Sequence, residues 1–519
     1  MKTSVLVAAG LVAAIAIVLL YRDRYSASNF EVVPDSVEYA LAGHRLATEG
    51  RYAIVVAGRD LPPRYPPWFS LLVAVPAYVV LGPEPGNAIF PVTALAVCGV
   101  LIAFALGRRI GGAWGGALAA LAVLSLPDYR LCGRVFLTDV PATVLLIAAG
   151  VVYLRLRRAQ AAPTMDYLAA GLLLGVAASF RPVSAAAVLP FVLAALRSGS
   201  RARFTRLMLL LLPLGLGAAA TFAYNAATFG SPSRSGYHFW CPVPYDYPAL
   251  LLSASYIGPN LRTVWSTGLP LVAAAGLLLH AVWSRSGRLT GPPSRDARST
   301  VEFLCLGTGP IVVAYLVYFF PDPRFFLPAL VVSAILLGAM VGARLQRLPS
   351  AILLALLAAL LLEAAVVRLR RPEPPPERRL AADRIAASTP GDATVISAIE
   401  PAYLEYLVGR HSARRIVPLS RDVEYADKAI AVKAVADPVP APMSWRDHRC
   451  PGLLARGAEE AIPVVAAEEL DELDRQVREG RRIFVDTTAI RSSDDVLLRI
   501  RERFSLVPRG KDLFELAAR

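Results

Sequence analysis

Apolar runs long enough to cross a lipid bilayer recur along most of this chain, and they constrain its fold more than any other feature. The runs are rich in Leu, Ala and Val, are each about 16–22 residues long, and continue from the N-terminus to about residue 368. Of the 519 residues, 55% are hydrophobic, more than a soluble protein with ordinary polar surfaces needs. This pattern predicts an α-helical polytopic membrane protein.

Eleven of the apolar segments are predicted to span the membrane. The first, about residues 5–20, has no small-residue cleavage site before Tyr21 and Arg22, so we interpret it as a retained helix. A stretch of about 13 residues at 69–81 is too short for a span and is predicted to lie along the outer interface. The other ten predicted spans are at about residues 87–107, 112–127, 138–154, 166–180, 183–196, 206–224, 266–283, 300–320, 325–343 and 350–367.

The positions of the arginines orient this topology. If residues 69–81 do not cross, five consecutive arginine-containing loops face the cytoplasm, as the positive-inside rule requires. These loops contain Arg108 and Arg109; Arg155, Arg157 and Arg158; Arg197, Arg201, Arg203 and Arg206; Arg285, Arg288, Arg295 and Arg298; and Arg344 and Arg347. The predicted external loops are then residues 21–67 and 225–265. Because the arginines are dispersed over loops, the net charge of +14 does not form the contiguous basic face that nucleic-acid binding needs.

The composition changes near residue 371, which divides the chain into two predicted domains. Residues 1–371 form the transmembrane domain, and a proline-rich linker at 372–378 opens an extracytoplasmic domain over 372–519. Arginines that follow the last helix lie on this external side, against the orientation rule, but long domains translocate largely regardless of charge. These arginines are Arg368, Arg370, Arg371, Arg378 and Arg379.

Strands alternate with helices in the predicted C-terminal domain. The strands are at 393–397, 414–419, 481–487 and 512–517, and the helices are at 401–409 and 468–480. The alternation predicts a small α/β domain with a mostly parallel sheet. It contains no GxGxxG motif and no nucleophile elbow, so we interpret it as a lid or scaffold without chemistry of its own.

The five cysteines have no metal-ligand spacing. Cys98 and Cys305 lie inside apolar runs and are interpreted as small core residues. Cys132, Cys241 and Cys450 fall in predicted external segments, which leaves a disulfide among them open.

Carboxylates lie at the predicted outer ends of apolar segments. Asp35 and Glu38 belong to residues 34–50, which predict an amphipathic surface helix. Asp139 follows Thr138 at the outer entrance of a predicted span. Each aspartate fits two interpretations that the residues alone leave open, since it can cap a helix or act as a general base.

Two arginines lie at the outer boundary of predicted spans, whereas five arginine-containing loops are predicted to face the cytoplasm. Arg181 and Arg324 each separate two apolar runs at the outer boundary. A single such arginine is usually a snorkelling anchor. Two of them together suit a phosphate at the interface, because a guanidinium group binds phosphate oxygens in a bidentate manner.

Aromatic residues recur in the external loops. Arg64 and Tyr65 lie in a proline-stiffened turn at 59–70, and residues 225–247 form a second aromatic-rich loop. Stacked aromatic rings can hold a sugar ring, while the aromatic belt of a membrane interface predicts the same residues. Both interpretations stay open at this level.

The order of these motifs resembles the GT-C superfamily of membrane glycosyltransferases. The resemblance is to its bacterial branch, related to protein O-mannosyltransferases and the lipid A aminoarabinose transferase. It covers most of residues 1–330. The matching pieces are PDSVEYALAGHRLATEG (34–50), RYPPWFSLLVAVPAYVVLG (64–82), GRRIGGAWGGALAALAVLSLP (107–127), LTDVPATVLLIAAGVVYLRLRR (137–158), GLLLGVAASFRPVSAAAVLP (171–190), YNAATFGSPSRSGY (224–237) and DPRFFLPAL (322–330).

The resemblance implies an inverting glycosyltransferase of the bacterial cytoplasmic membrane, in which a polyprenyl-phosphate sugar is the donor and the acceptor is a glycan, lipid or protein. Asp35 would be the catalytic base, and Asp139 would orient the acceptor or a metal, so that a divalent cation is left open as cofactor. Arg181 and Arg324 would bind the donor phosphate. Glu38, Arg64 and Tyr65 complete the expected substrate-binding set.

The sequence departs from this family at one point, and it leaves other functions open. Many relatives pair the first aspartate directly with a glutamate, whereas Ser36 follows Asp35 here and Glu38 is one helical turn away. The main alternative is a transporter or flippase for lipid-linked or small polar substrates, which would need discontinuous helices and ionisable residues near the midplane. A membrane anchor with a decayed transferase site is the third hypothesis.

Overall fold

A computed structural model gives the fold of this chain. It describes residues 2–20, 34–56, 59–159, 164–197, 200–240, 245, 251–285, 295–370, 377–397, 399, 401–409, 412–418, 465–488 and 500–519. These residues form two compact units. The first comprises Met1–Asp23, Ile89–Tyr224 and Leu252–Pro372, and the second comprises Arg24–Ala88, Asn225–Leu251 and Glu373–Arg519. Much of the predicted external loops therefore groups with the C-terminal region, and the single domain boundary at 371/372 stays a prediction.

Helices dominate the first unit. In chain order these are α1 (Lys2–Leu20), α4 (Ile89–Ser125), α5 (Pro127–Cys132), α6 (Asp139–Arg158), α7 (Thr164–Phe180), α8 (Leu189–Leu196), α9 (Ser200–Phe229, whose last turn belongs to the second unit), α11 (Ile257–Ser266), α12 (Leu269–Arg285), α13 (Arg295–Phe303), α14 (Gly309–Leu316), α15 (Leu327–Leu345) and α16 (Ser350–Arg370). The second unit contains α2 (Pro34–Glu49), α3 (Val75–Leu81), α10 (Gly236–Trp240), α17 (Glu377–Ser388), α18 (Pro401–Leu407) and α19 (Val465–Arg478).

The prediction of a polytopic helical membrane protein is confirmed, with fewer long spans than expected. Among the described residues, six helices are long and apolar enough to cross a membrane, or seven if α11 and α12, bent by 68° at their junction, form one span. The six are Thr3–Leu20, Pro85–Ser125, Asp139–Arg158, Ala202–Phe229, Arg295–Leu316 and Pro323–Leu345. Other predicted spans, such as Thr164–Phe180, Pro182–Leu196 and Ser350–Val366, are helical but shorter.

Helix α4 contains the break that the sequence predicts between residues 107 and 112. Gly112 has φ of 62°, a conformation that glycine adopts readily. A Cβ atom on Gly107 would lie 2.5 Å from the Cβ of Ala119, although twelve residues of straight helix extend about 18 Å. The two halves of α4 therefore run back along each other. A Cβ atom on Gly342 of α15 would lie 2.3 Å from the Cα of Gly115, so small residues let α15 pack closely on this helical hairpin.

The sheet of the C-terminal region is mixed, which corrects the prediction of a mostly parallel one. Its strands are β3 (Thr394–Ser397), β4 (Arg415–Pro418), β5 (Ile483–Asp486), β6 (Phe504–Gly510) and β7 (Leu513–Ala518), in the spatial order β4-β3-β5-β7-β6. The first three in that order are parallel, whereas β7 pairs antiparallel with both β5 and β6. The sequence reading missed β6, because most of its residues are exposed and it contains Pro508 and a terminal glycine, which interrupt an apolar pattern.

The second unit packs the C-terminal region around α2. Helix α18 lies against α2 and against β1 (Ile54–Val56), which forms an antiparallel hairpin with β2 (Arg59–Leu61). Tyr403 and Leu404 of α18 are buried. Within this unit, the helix that carries Asp35 and Glu38 is thus held from one side by the C-terminal region.

The structure describes one of the three cysteines for which the sequence left a disulfide open. Cys132 is buried and carries a free thiol, as do Cys98 and Cys305, which are exposed. Cys241 and Cys450, the other two cysteines for which the sequence left a disulfide open, lie outside the described residues.

Candidate functional site

The first unit gathers an aspartate and two arginines at the N-terminal end of α6. That helix begins at Asp139, and Thr138 precedes it as the N-cap residue. The Asp139 side chain is 2% exposed, and its Oδ1 lies 2.5 Å from Nη2 of Arg181 while its Oδ2 lies 3.9 Å from Nη1 of Arg324. A carboxylate buried to this degree needs such charged partners. Asp139 therefore holds guanidinium groups rather than occupying the N-cap position.

Arg181 reaches this carboxylate from the connection that follows α7. Its backbone is extended (φ −140°, ψ 103°) because Pro182 follows it and opens a short 3₁₀ helix. Its guanidinium group donates Nε to the hydroxyl of Thr138 at 3.2 Å and Nη1 to the hydroxyl of Tyr315 at 3.3 Å. These bonds fix the plane of the guanidinium group.

Arg324 reaches it from the 3₁₀ turn Pro323–Phe326, which precedes α15. Asp322 caps that turn by accepting the backbone N–H of Arg324 at 3.0 Å, and its other oxygen accepts Nε of the same residue at 3.0 Å. One carboxylate thus fixes both the backbone and the side chain of Arg324.

An aromatic ring lies beneath both guanidinium groups. The Cζ of Arg181 is 5.3 Å from the ring centroid of Phe325, and the Cζ of Arg324 is 5.6 Å from the same centroid. The ring of Tyr315 stacks on Phe325 at 4.6 Å, with 16° between the planes. Cations attract the negative face of an aromatic ring within about 6 Å, so Phe325 attracts both arginines.

A further carboxyl group lies close to this cluster. Burial raises the pKa of Asp128 above its usual value, and the nearby carboxylates of Asp322 and Asp139 raise it further. The raised pKa favours the neutral form of Asp128, whereas Asp139 and Asp322 pair with the two arginines. The arrangement can bind a polyvalent anion whose oxygens add to, or replace, the carboxylate contacts.

The second unit contains a different acid–arginine cluster on α2. Asp35 lies in the first turn of this helix and is half-buried. Glu38, one turn later, is 2% exposed; it accepts the backbone N–H of Arg64, and its Oε2 accepts Nε of Arg64 at 2.8 Å. Burial raises the pKa of Glu38, although Arg64 opposes this and the charge of Asp35 reinforces it. Glu38 thus fixes the turn that contains Arg64 against α2.

Tyrosine rings extend from this cluster to the segment after α9. Tyr65 stacks on Tyr39 with centroids 4.3 Å apart and meets the ring of Tyr237 edge-on at 5.4 Å. Burial raises the pKa of the Tyr65 phenol far above its usual value, and the carboxylate of Asp35 contributes in the same direction. A Cβ atom on Gly236 would lie 2.2 Å from the carbonyl oxygen of Pro63, so a glycine there permits the close approach.

The structure divides the predicted site residues between these clusters. Asp139, Arg181 and Arg324 come together in the first unit, and Asp35, Glu38, Arg64 and Tyr65 come together in the second. Their roles in binding or catalysis stay predictions. Sequence reasoning missed Tyr315, Phe325, Asp322, Asp128 and Thr138. The run Asp322-Pro-Arg-Phe offered a signal for Asp322 and Phe325, whereas Tyr315 lies inside an apolar run that conceals it.

A metal site was left open by the sequence. Within the part of the chain that the structure describes, no group of three or more His, Cys, Asp or Glu residues is placed to hold a metal ion.

Comparison with known proteins confirms the predicted resemblance to GT-C membrane glycosyltransferases. Residues 64–226 match the family model described as dolichyl-phosphate-mannose-protein mannosyltransferase. This match includes Arg64, Tyr65, Asp139 and Arg181. It therefore supports the prediction of a glycosyltransferase on the segment that contributes to both clusters. No curated protein sequence matches the chain.

One solved structure shows a similar fold over 99% of the chain. The crystal structure of ArnT from Cupriavidus metallidurans bound to undecaprenyl phosphate is 13% identical, with 99% of this chain and 97% of that chain covered and a TM-score of 0.55. The archaeal oligosaccharyltransferase AglB from Archaeoglobus fulgidus, in complex with an inhibitory peptide and a dolichol-phosphate, is 12% identical; 100% of this chain and 74% of that chain are covered, with a TM-score of 0.49. At 13% identity the ArnT similarity concerns the fold.

Proposed function

We propose that this protein transfers a sugar from a polyprenyl-phosphate donor to an acceptor at the outer face of the bacterial cytoplasmic membrane, with inversion at the anomeric carbon. The observation that carries the proposal is the convergence of Arg181 and Arg324 on Asp139 and Phe325. The family match and the ArnT structure with its undecaprenyl phosphate are the supporting comparisons.

In this proposal, the two arginines bind the donor phosphate. Their planar N–H groups suit phosphate oxygens, and their positions are fixed by Asp139, Asp322, Thr138 and Tyr315 before substrate binds. As the bond between the anomeric carbon and the phosphate oxygen breaks, negative charge grows on the phosphate. Donors fixed in advance stabilise that charge without reorganisation in the transition state.

Asp35 is the proposed general base. It accepts the proton from an acceptor hydroxyl or amine as that group forms a bond to the anomeric carbon, and polyprenyl phosphate leaves with the electron pair of the broken bond. Asp35 suits this role better than Glu38, because Glu38 is buried and engaged with Arg64 on both oxygens. Glu38 instead positions Arg64, and Tyr65 shields the base from water.

The membrane orientation in the proposal rests on the arginine distribution. With eleven crossings, the number that the apolar runs predict, the positive-inside rule assigns the arginine-rich loops to the cytoplasm and the segments that contain Asp35 and Asp139 to the outer side. The C-terminal domain is then extracytoplasmic. The sugar and the acceptor follow from neither the residues nor the fold.

A transporter or flippase is the second candidate, and the bend between α11 and α12 favours it. Transporters often bind substrates at such interrupted helices. The two activities differ in covalent chemistry: a flippase moves a lipid-linked sugar unchanged, whereas a transferase releases polyprenyl phosphate.

Mass spectrometry of membrane lipids tests the proposal. In cells that lack the protein, a polyprenyl-phosphate sugar should accumulate and its glycosylated acceptor should disappear. Restoring the wild-type chain should reverse both changes, and the Asp35→Asn variant should reverse neither. An acceptor that stays fully glycosylated, with no accumulated lipid-linked sugar, would contradict the transferase assignment.

A further inference from the structure

Two like charges lie close to one aromatic ring in the first unit. The guanidinium groups of Arg181 and Arg324 come from segments 143 positions apart in the chain, yet both lie over the ring of Phe325. Like charges repel, and the repulsion must be compensated for the two groups to stay close. The carboxylate of Asp139 pairs with both arginines and so compensates their repulsion. The Phe325 ring adds a second attraction to both cations.

The aromatic ring is itself held in place. Tyr315 stacks on Phe325 on nearly parallel planes and also accepts a hydrogen bond from Arg181. The next residue, Phe326, is buried at 1% exposure, whereas Phe325 is half-buried. The short 3₁₀ turn thus anchors itself in the core with one phenylalanine and presents the other to the arginines.

Carboxylates and the ring hold the arginines by different means. An anionic substrate competes directly with Asp139 and Asp322 for guanidinium N–H groups, because all of them accept hydrogen bonds in the guanidinium plane. The ring of Phe325 lies 5.3 and 5.6 Å from the two Cζ atoms and attracts the cations through its π electrons, without taking up their hydrogen-bond donors. Phe325 can therefore keep both arginines in position while their in-plane contacts change.

We propose that Phe325 is a positioning residue for anion binding: its π face sets the placement of Arg181 and Arg324 when a polyprenyl phosphate replaces part of their carboxylate contacts. This inference rests on the proposed function, since it takes the lipid phosphate as the anion. It concerns neither proton transfer nor the sugar.

The test measures binding of undecaprenyl phosphate to the purified full-length protein in detergent, with an uncharged polyprenol as reference lipid. The Phe325→Leu variant keeps an apolar side chain of similar size and removes the π face. We expect it to bind undecaprenyl phosphate about five- to thirty-fold more weakly, the range for two cation–π contacts at tenfold per 1.4 kcal/mol. Its affinity for polyprenol should not change. The conservative Phe325→Tyr variant should restore most of the binding.

Fluorinated phenylalanines at position 325 provide a readout that a purely structural role would not change. One, two and three ring fluorines weaken the negative face in steps with little change in size, so affinity for undecaprenyl phosphate should fall stepwise. This series also decides the question if Phe325→Leu fails to fold. The matched control is Phe303→Leu in α13, a buried ring that packs against Tyr153 and Phe191; it should reduce thermal stability and leave the preference for phosphate unchanged.

Failure of the inference and failure of the proposed function give different results. If wild-type protein binds undecaprenyl phosphate no better than polyprenol, the proposed function is wrong. If wild-type protein prefers the phosphate and the fluorinated series binds it equally well, the role of Phe325 is wrong. If Phe325→Leu weakened the binding of undecaprenyl phosphate and of polyprenol equally, Phe325 would contribute only packing, and the inference would also be wrong.

Discussion

The two acid–arginine clusters use the same residue types in opposite proportions around their most buried charge. In the first unit, two guanidinium groups surround the buried carboxylate of Asp139. In the second unit, one guanidinium group, from Arg64, contacts the buried carboxylate of Glu38, and Asp35 adds a second negative charge nearby. The first arrangement presents two guanidinium groups, whereas the second presents one, which both oxygens of Glu38 already engage.

The two clusters should also respond differently to a substitution that removes the charged partner of a buried side chain. An arginine cannot lose its proton at accessible pH, so a buried arginine without its carboxylate stays charged. A glutamate without its arginine can accept a proton and become neutral. The first cluster should therefore respond to substitution with a large, pH-independent loss of stability, and the second with a smaller loss that depends on pH.

The largest effect is expected for Asp139→Ala. This substitution leaves Arg181 and Arg324 without the buried carboxylate between them, and removal of one member of a buried pair costs about 3–5 kcal/mol. Thermal unfolding in detergent should show the loss equally at pH 6 and pH 8. Asp322→Asn is the matched control, since it leaves Asp139 in place, and its effect should be smaller. An unchanged unfolding midpoint in Asp139→Ala would remove the basis for the comparison.

A smaller effect, of about 1–3 kcal/mol, is expected for Arg64→Gln, because Glu38 can relieve the lost partner by taking up a proton. Burial already raises the pKa of Glu38 in the folded protein, and loss of Arg64 raises it further. A carboxyl group whose pKa is higher in the folded than in the unfolded protein contributes its full stabilisation at pH values below the unfolded pKa. This stabilisation is lost as the pH rises through the folded pKa. The variant should thus lose stability, relative to wild type, from acidic toward neutral pH.

The double substitution Glu38→Gln with Arg64→Gln is the control for this pH dependence, because it removes the titrating group. Its stability relative to wild type should lack the additional decline that Arg64→Gln shows. If Arg64→Gln instead gained stability relative to wild type with rising pH, loss of Arg64 would have lowered the pKa of Glu38, which would contradict the pairing of these two residues.

The smallest effect is expected at the exposed end of α2, where Arg45 pairs with Asp60 and Glu49. Hydrogen bonds from Arg45 lower the pKa of Asp60 in the folded protein. The stabilisation that Asp60 contributes is therefore present at pH values above its unfolded pKa and is lost as the pH falls through its lowered folded pKa. Exposed pairs contribute only about 0–1 kcal/mol. Asp60→Asn should therefore shift the unfolding midpoint slightly at pH 7 and not at all in strong acid. A loss as large as that of Asp139→Ala would show that burial does not govern these differences.

Much of the fold was predictable because its signals are local. Apolar runs predicted the helical segments, and the predicted loop with Arg108 and Arg109 located the break in α4, which the structure has at Gly111 and Gly112. Buried strands such as β3 and β5 are continuous apolar runs, which a sequence reveals directly. The exposed strand β6 does not have that pattern. Among the described residues, six or seven helices are long and apolar enough to cross a membrane, whereas segments such as Thr164–Phe180, which the apolar runs already delimit as short, fall below that length.

The candidate site was predictable in part: the sequence selected Asp139 with both arginines and the Asp35 cluster with Tyr65, but not Asp128 or Asp322. Charges beside apolar segments are rare enough to be selected from the sequence, which identified Asp139, Arg181 and Arg324. Their partners were not predictable by the same reasoning. Tyr315 and Phe325 look like ordinary apolar residues, and the pairing of Glu38 with the backbone of Arg64 depends on a chain reversal that no periodicity encodes.

The most direct test of the proposed transferase measures undecaprenyl-phosphate binding and sugar transfer in the same preparations of wild type, Asp35→Asn and Arg181→Gln. Loss of a general base should reduce transfer by about 10²–10⁴-fold while undecaprenyl phosphate still binds Asp35→Asn as it binds wild type. Arg181→Gln should instead bind undecaprenyl phosphate more weakly than wild type does. Normal turnover by Asp35→Asn would contradict the account.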